Sequence, residues 1–291
     1  MDATGQNAAY QRIRTRQVTG ALGAEVAGVD LSTDFGEEIM ADLRAALRDH
    51  LVLFFRDQRL TPEQQMTFGR RWGELYTHPL VAGMDDYPEM LELKKTPANK
   101  KNLGGNWHSD QMYAEQPVMA TILYAKVVPS VGGDTLFSNQ YLGYETLSPG
   151  MQRMLHGLRA VSYGDHAGGH EGKSRFEYYA QYTGAKTRDP GNFKIIATHP
   201  VVRTHPETKR PALYIGSHVR HFEDMTEDES RPLIDKLMAH STRPEFTCRF
   251  RWREGSLAIW DNRCTQHFAI NDYPTETRIM HRINVCGSTP Y

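Results

Sequence analysis

The chain has 291 residues, of which 39% are hydrophobic and 24% are charged, and its formal net charge at pH 7 is -1. This composition is that of an ordinary globular protein, long enough to bury a core without disulfides. The near balance of 34 basic and 35 acidic residues excludes a strongly basic protein, so we expect neither nucleic acid nor a membrane as partner.

The cysteines and the N-terminal sequence bear on location. The three cysteines, Cys248, Cys264 and Cys286, include no CxxC pair, which argues against a disulfide framework and a thiolate zinc site. The polar start lacks the apolar segment of a secretory signal, and no apolar run reaches the roughly 18 residues of a membrane span. The sequence therefore predicts a cytoplasmic protein.

The first elements follow from apolar periodicity. Residues 16–31 alternate and predict short strands with tight turns, whereas 37–49 has helical spacing. The continuous apolar run 51–55 predicts a buried strand. Thr61, just before a proline, is a good N-cap for a second helix that runs to about residue 72.

Later segments are mainly strand-like. Helices are predicted at about 144–156 and 227–240, and the polar stretch 163–192 is predicted to be a lid-like excursion. Further strands are predicted at 91–94, 120–128, 135–137, 201–204, 212–215, 246–252, 257–260 and 280–285. Short strands with Gly and Pro turns favour a β-rich sandwich or barrel, and the absence of GxGxxG disfavours a Rossmann unit.

A local pair of ligand-type residues stands at His108 and Asp110. In a strand or its flanking turn, positions i and i+2 point the same way, so this imidazole and carboxylate can hold one cation. A third ligand must come from elsewhere, and His267, after the apolar segment that ends at Trp260, is the best candidate. Two histidines and one carboxylate suit Fe(II) and leave positions open. An isolated HxD pair also occurs by chance.

Arg278 lies eleven residues after His267, and its planar guanidinium can bind a carboxylate through two parallel hydrogen bonds. A dicarboxylate that chelates the metal at one end needs such a group at its other end. The alternative is that Arg278 and Arg282, which alternate with apolar residues, form a solvated strand face.

Four motifs together resemble the taurine dioxygenase-like (TauD/TfdA) family of Fe(II)/2-oxoglutarate-dependent dioxygenases, which includes alkylsulfatases and aryloxyalkanoate dioxygenases. They are NWHSD at 106–110, GGDT at 132–135, WDNRCTQH at 260–267 and RIMHR at 278–282. The resemblance runs from about Gly20 to Gly287. It implies one mixed α/β, β-rich domain over 1–291, with a double-stranded β-helix (jelly roll) core and flanking helices.

The resemblance also implies the site. His108, Asp110 and His267 would hold Fe(II), Thr135 and Arg278 would bind the far carboxylate of 2-oxoglutarate, and Trp260 would pack near the metal pocket. Oxygen would decarboxylate 2-oxoglutarate to succinate while the substrate is hydroxylated. Members of the group are commonly homodimers or homotetramers, so we expect one of these states.

For the substrate, His78 and Arg282 match family residues that contact an anionic head group; a purely structural role for His78 is the alternative. Val81 replaces a tyrosine of taurine-specific members, and Leu103 and Gly104 replace a polar pair. Because such residues cannot pair with a buried ammonium, we expect taurine to be a poor substrate. An alkylsulfonate, sulfate ester or aryloxyalkanoate with an apolar tail is expected instead, hydroxylated next to its heteroatom so that the product fragments.

Other functions remain open. A biosynthetic hydroxylase or desaturase would use the same iron site. A hydrolase or isomerase with Zn or Mn on these ligands would not need the Thr135 and Arg278 pair, and an inactive sensor would not need an oxygen-reactive metal. Glu171, Tyr178 and Tyr179 of the excursion are candidates for lining or covering the pocket.

Overall fold

The computed structural model describes residues 10–99, 102–164, 188 and 195–291. Seven strands form its largest sheet, in the order β1-β2-β3-β13-β5-β15-β4. These strands are β1 (Arg14–Gln17), β2 (Ala24–Ala27), β3 (Val52–Phe55), β4 (Met90–Lys95), β5 (Ala120–Val127), β13 (Leu257–Asp261) and β15 (Arg278–Val285).

A three-stranded sheet, with the order β12-β6-β14, faces the large one. It consists of β6 (Thr135–Asn139), β12 (Thr247–Phe250) and β14 (Thr265–Ala269). Aromatic rings fill the space between the two sheets: Phe54 stacks on Phe250 with ring centroids 4.0 Å apart, and Phe137 lies 5.3 Å from Trp260. The two sheets therefore form a sandwich around one apolar core.

The central strand β13 shows why its apolar run is continuous. All five of its residues are buried, because successive side chains enter two different cores. Ala258 and Trp260 pack into the sandwich interior, whereas Leu257 and Ile259 pack toward the helices on the other face. A strand covered on both sides loses the apolar-polar alternation of a half-exposed strand.

Two helices cover the outer face of the large sheet. Helix α1 (Glu37–His50) buries Met40, Leu43 and Leu47 against it. Helix α2 (Pro62–Arg70) begins with a capping box. The Thr61 side chain accepts from the Gln64 backbone N–H, and the Gln64 side chain accepts from the Thr61 backbone N–H. The predicted N-cap is confirmed, and the helix ends two residues before the predicted boundary.

Five further strands and one helix surround a third core. These are β7 (Arg159–Tyr163), β8 (Ile196–Pro200), β9 (Val202–Thr204), β10 (Pro211–Leu213), β11 (Val219–Phe222) and helix α5 (Glu227–Ser241). Strands β11-β7-β8 and β10-β9 form two small sheets, and the short 3₁₀ helix Pro244–Phe246 leads into β12.

The helix predicted over 144–156 is wrong as one element. The structure has α3 (Gln140–Glu145) and α4 (Pro149–Leu155) instead. Pro149 disfavours helical backbone at the residue before it, and Ser148 has an extended conformation and caps α4 by accepting from the Met151 N–H. One apolar pattern therefore covers two helices.

Among the strands that the structure describes, four were not predicted: β7, β8, β11 and β14. Most of the predicted excursion 163–192, with Glu171, Tyr178 and Tyr179, lies outside the described residues. Within the part of the chain that the structure describes, no helix is both long and apolar enough to cross a membrane.

Candidate active site

The segment that carries His108 and Asp110 is held alongside β14. His108 and His267 exchange two backbone hydrogen bonds, at 3.2 and 2.8 Å, and the Ala269 N–H donates to the Gly104 carbonyl at 2.9 Å. The Ser109 hydroxyl donates to the Thr265 carbonyl at 2.7 Å. Because His108 lies directly opposite His267, their rings are neighbours, with centroids 4.2 Å apart.

Three ligand-type atoms meet at this point. Asp110 Oδ1 lies 3.7 Å from His108 Nε2 and 3.9 Å from His267 Nε2, and all three residues are buried. His267 lies inside β14, and Trp260 packs against its ring at 4.7 Å. The three predicted ligands are therefore brought together.

The position of His108 favours a lone pair on Nε2. His108 Nδ1 lies 2.7 Å from the Asn106 carbonyl oxygen, which can only accept, so Nδ1 carries the proton. Gly104 leaves room for this ring: its φ is +82°, and a Cβ there would lie 3.2 Å from His108 Cε1.

Electrostatics keep Asp110 ionised. Burial acts to raise the pKa of Asp110, but the guanidinium of Arg282 and the two histidines outweigh it, so this pKa lies well below its ordinary value. Burial and the neighbouring His108 ring hold the pKa of His267 well below its ordinary value. An ionised Asp110 and a neutral His267 are the protonation states that metal binding requires.

A cavity of about 460 Å³ opens beside the triad. His78, Arg282, His108 and Asp110 all line it, so the predicted anion-contacting residues share a wall with two predicted metal ligands. The other lining residues are Val81, Leu91, Leu93, Asn102, Leu103, Gly104, Gly105, Asn106, Gln111, Tyr113, Ser217, His218, Phe268, Ala269 and Asn271. His267, Thr135 and Arg278 are not part of the lining.

Arg282 makes contacts that the sequence did not suggest. Its Nη2 donates to Asp110 Oδ1 at 3.0 Å, and its Nε donates to Asn284 Oδ1 at 3.0 Å. The guanidinium therefore bridges the predicted metal ligand and the cavity wall.

His78 is fixed by its own turn. Its Nδ1 accepts from the backbone N–H groups of Leu80, at 3.0 Å, and Val81, at 3.1 Å. The ring is buried in the wall of the cavity.

Thr135 and Arg278, the first residues of β6 and β15, both lie beside Trp252. Trp252 links them: its Nε1–H donates to Thr135 Oγ1 at 2.9 Å, and the Arg278 guanidinium lies 5.7 Å from its ring centroid. Arg278 is 8% exposed, and its Nε and Nη2 have no hydrogen-bond partner in the described structure. Gly133 (φ +71°) permits this approach, since a Cβ there would lie 3.3 Å from Arg278 Cδ. Buried, unpaired guanidinium donors fit a carboxylate.

A second cluster, His205, Asp261 and Cys264, has ligand-type atoms within 4.8 Å of one another but does not suit a metal. Both nitrogens of His205 are used, since Nδ1 accepts two backbone N–H groups and Nε2 lies 3.1 Å from Asp261. Arg263 donates to both oxygens of Asp261, at 2.9 and 2.7 Å. This cluster is a structural charge network.

Three buried residues near the triad were given no role at the level of sequence: Thr121, Asn262 and Asn284. Thr121 Oγ1 donates to Asp110 Oδ2 at 2.6 Å, and the Asp110 N–H donates to Asn262 Oδ1 at 3.1 Å. Asn262 belongs to the WDNRCTQH motif and Asn284 stands two positions after Arg282, so both had a signal. Thr121 had none, since threonine is common in strands.

A β-sandwich with a buried His-Asp-His triad beside a cavity defines a class of non-haem metalloenzymes. The family model described as "Taurine catabolism dioxygenase TauD, TfdA family" matches residues 14–284, and the chain belongs to this family. The mixed α/β, β-rich fold with a jelly-roll core is thereby confirmed.

Individual relatives agree with this assignment. The chain is 34% identical to an alpha-ketoglutarate-dependent sulfate ester dioxygenase of Pseudomonas putida, over 94% of this chain and 89% of that protein. It is 32% identical to an alkylsulfatase of Acinetobacter baylyi, over 95% and 86%. The crystal structure of a taurine dioxygenase from Burkholderia xenovorans superposes with a TM-score of 0.80 at 33% identity, covering 96% of this chain and 91% of that one.

Proposed function

We propose that this protein is an Fe(II)- and 2-oxoglutarate-dependent dioxygenase that hydroxylates a small organic anion with an apolar tail. The observation that carries the proposal is the convergence of two imidazole nitrogens and one carboxylate oxygen beside a cavity that also holds His78 and Arg282. The substrates named for the relatives, sulfate esters and alkyl sulfates, belong to this chemical class. Hydroxylation next to the heteroatom would give a product that fragments.

The proposed cofactor site combines two groups of residues, the triad and the Thr135 and Arg278 pair. His108, Asp110 and His267 would hold Fe(II), which supplies oxygen activation when bound. Thr135 and Arg278 would bind the far carboxylate of 2-oxoglutarate, because the unpaired donors of Arg278 need an anionic partner. The burial of this arginine excludes water and strengthens its interaction with a carboxylate.

The proposed substrate site combines charge with an apolar wall. His78 and Arg282 would bind the anionic head group, and Val81, Leu91, Leu93 and Phe268 line the same cavity. Among the described residues of the lining, Asp110 is the only carboxylate, and Arg282 already pairs with it. An ammonium group would therefore find no free carboxylate, and taurine should be a poor substrate.

A succinate assay tests the proposal. Protein purified without oxygen is mixed with Fe(II), 2-oxoglutarate and ascorbate, and oxygen is then admitted over alkyl sulfate esters, alkylsulfonates, aryloxyalkanoates and taurine. We expect at least one of the first three classes, but not taurine, to stimulate succinate formation. Asp110→Asn should remove the activity, because the site loses its only carboxylate ligand.

Matched controls keep the outcome clear. Asp235→Asn changes an exposed aspartate on helix α5 and should retain activity. Substrate cleavage that continues without oxygen and 2-oxoglutarate would indicate a hydrolase on the same ligands. Succinate formation that no anion stimulates would contradict the proposed substrate class.

A further inference from the structure

Asp110 is held by a closed hydrogen-bond network whose donors and acceptors are fully determined. Asn262 Oδ1 receives two N–H groups, from the Asp110 backbone and from Trp260 Nε1, both at 3.1 Å. Since both groups can only donate, the amide nitrogen of Asn262 must point the other way. It donates to Thr121 Oγ1 at 2.9 Å.

Asn284 approaches the same hydroxyl from the neighbouring strand. Its Oδ1 accepts from Arg282 Nε, another group that can only donate, so its Nδ2 donates to Thr121 Oγ1 at 2.6 Å. Strand register places these groups, since Thr121 in β5 pairs with Trp260 in β13 and with Asn284 in β15.

The direction of the Thr121 proton follows. A hydroxyl has one proton and two lone pairs, and both lone pairs of Thr121 are taken by the two amides. The proton must therefore go to Asp110 Oδ2, which lies 2.6 Å away. This leaves Oδ1 as the oxygen that faces His108, His267 and Arg282.

We propose that Thr121, oriented by Asn262 and Asn284, is a positioning residue that ties up one oxygen of Asp110 so that the carboxylate binds the metal through Oδ1 alone. This inference rests on the proposed function. The terminal torsion of an aspartate is soft, so without Thr121 the carboxylate turns and offers both oxygens or pairs more fully with Arg282. Coordination by one oxygen leaves more of the metal open to 2-oxoglutarate and oxygen.

Metal affinity tests the role of Thr121. The dissociation constant of Mn(II) is measured for wild type, Thr121→Val and Thr121→Ser, without 2-oxoglutarate or substrate. Loss of a residue that orients a metal ligand typically weakens metal binding by about 10- to 100-fold, so we expect this for valine and near wild-type binding for serine. Ser230→Ala is the control, since it removes a buried hydroxyl with two hydrogen bonds in another core.

A crystal structure of the wild-type Mn(II) complex tests the same point without a variant, should Thr121→Val fail to fold. We expect Oδ1 alone at bonding distance from the metal. Both oxygens on the metal, or wild-type affinity in a folded Thr121→Val, would overturn the role of Thr121. A wild-type protein that binds no divalent metal would overturn the proposed function together with it.

Discussion

At the residue scale, the hydrogen bonds of His78 determine which of its two ring nitrogens carries the proton. Its Nδ1 accepts two backbone N–H groups and so carries no proton, which places the single ring proton on Nε2. Protonation of Nδ1 would break both bonds and leave the backbone N–H groups of Leu80 and Val81 without this acceptor. His78 therefore complements Arg282, which supplies the charge.

We expect His78→Leu to raise the KM for the organic anion. A hydrogen bond to a charged group contributes about 1.5–3 kcal/mol, which corresponds to roughly a 10- to 150-fold change. Steady-state succinate formation at varied alkyl sulfate measures the change, and the KM for 2-oxoglutarate should stay constant. His78→Gln retains a donor and should be affected less; equal KM values for leucine and wild type would refute the role of His78.

The contact between Arg282 and Asp110 predicts coupling between metal and substrate. Asp110 Oδ1 faces both the two histidines and Arg282, so a metal ion on Oδ1 competes for the charge that otherwise pairs with the guanidinium. Metal binding should therefore release Arg282 for the substrate anion. Coupling free energies of about 1–3 kcal/mol are typical and correspond to roughly 5- to 150-fold.

Calorimetry tests this coupling with Mn(II) and an alkylsulfonate, without 2-oxoglutarate. We expect each ligand to bind more tightly in the presence of the other, and by the same factor, because coupling is reciprocal. In Arg282→Gln the factor should fall to near one. Independent binding of the two ligands to the wild type would contradict the prediction.

At the element scale, strand β15 sets the distance between the two anion sites. Its pairing with β4 is regular from Arg278 to Ile283, so Arg278 and Arg282 point to the same face, with Met280 between them in the sandwich core. Four residues of strand separate the two positions by about 13 Å. One strand therefore carries one arginine for each proposed carboxylate or sulfate.

A matched pair of variants should distinguish the roles of Arg278 and Arg282. Arg278→Lys loses the planar fork in a buried site, so we expect a rise of tenfold or more in the KM for 2-oxoglutarate, about 1.4 kcal/mol. The KM for the organic anion should change little. Arg282→Lys should show the reverse pattern in the same succinate assay. A similar rise of both constants in both variants would contradict the assignment.

The elements also show what sequence could predict. The continuous run in β3 and the Thr61 cap follow from local chemistry, and both were predicted correctly. Strand β14 is different, because its polar residues Thr265, Gln266 and His267 are buried through pairing with β6 and with the segment that carries His108. The motif was enough to predict His267 as a ligand, but the strand that contains it could not be predicted from the sequence. Thr121 could not be found at all, because its role arises from cross-strand neighbours.

At the scale of the whole molecule, a buried charge network joins distant segments. Asp261, at the end of β13, accepts from His205 and Arg263, and Arg263 lies 2.7 Å from Glu207. Glu207 also pairs with Arg48 of α1, at 3.3 Å. The network thus links the turn that leads into β14 to the loop after β9 and to the helical layer.

This network predicts how stability depends on pH. Burial acts to raise the pKa of Asp261, but Arg263 and His205 outweigh it, so the folded pKa lies far below the value of about 3.9 in an unfolded chain. A carboxylate with a depressed folded pKa contributes stability above its unfolded pKa and loses it as pH falls toward the folded one. The contribution of Asp261 should therefore be complete at neutral pH and decline below about pH 4.

Urea unfolding of Asp261→Asn at pH 7 and pH 3 tests this prediction. Removing one partner of a buried ion pair typically costs roughly 3–5 kcal/mol, and we expect a loss of this size at pH 7 because Arg263 keeps its buried charge. The difference from wild type should shrink at pH 3, where the unfolded wild-type chain binds a proton that the folded Asp261 does not. Asp34→Asn, at a fully exposed carboxylate, is the control and should change neither value. An equal loss at both pH values would show that packing, and not the charge of Asp261, holds the turn in front of His267.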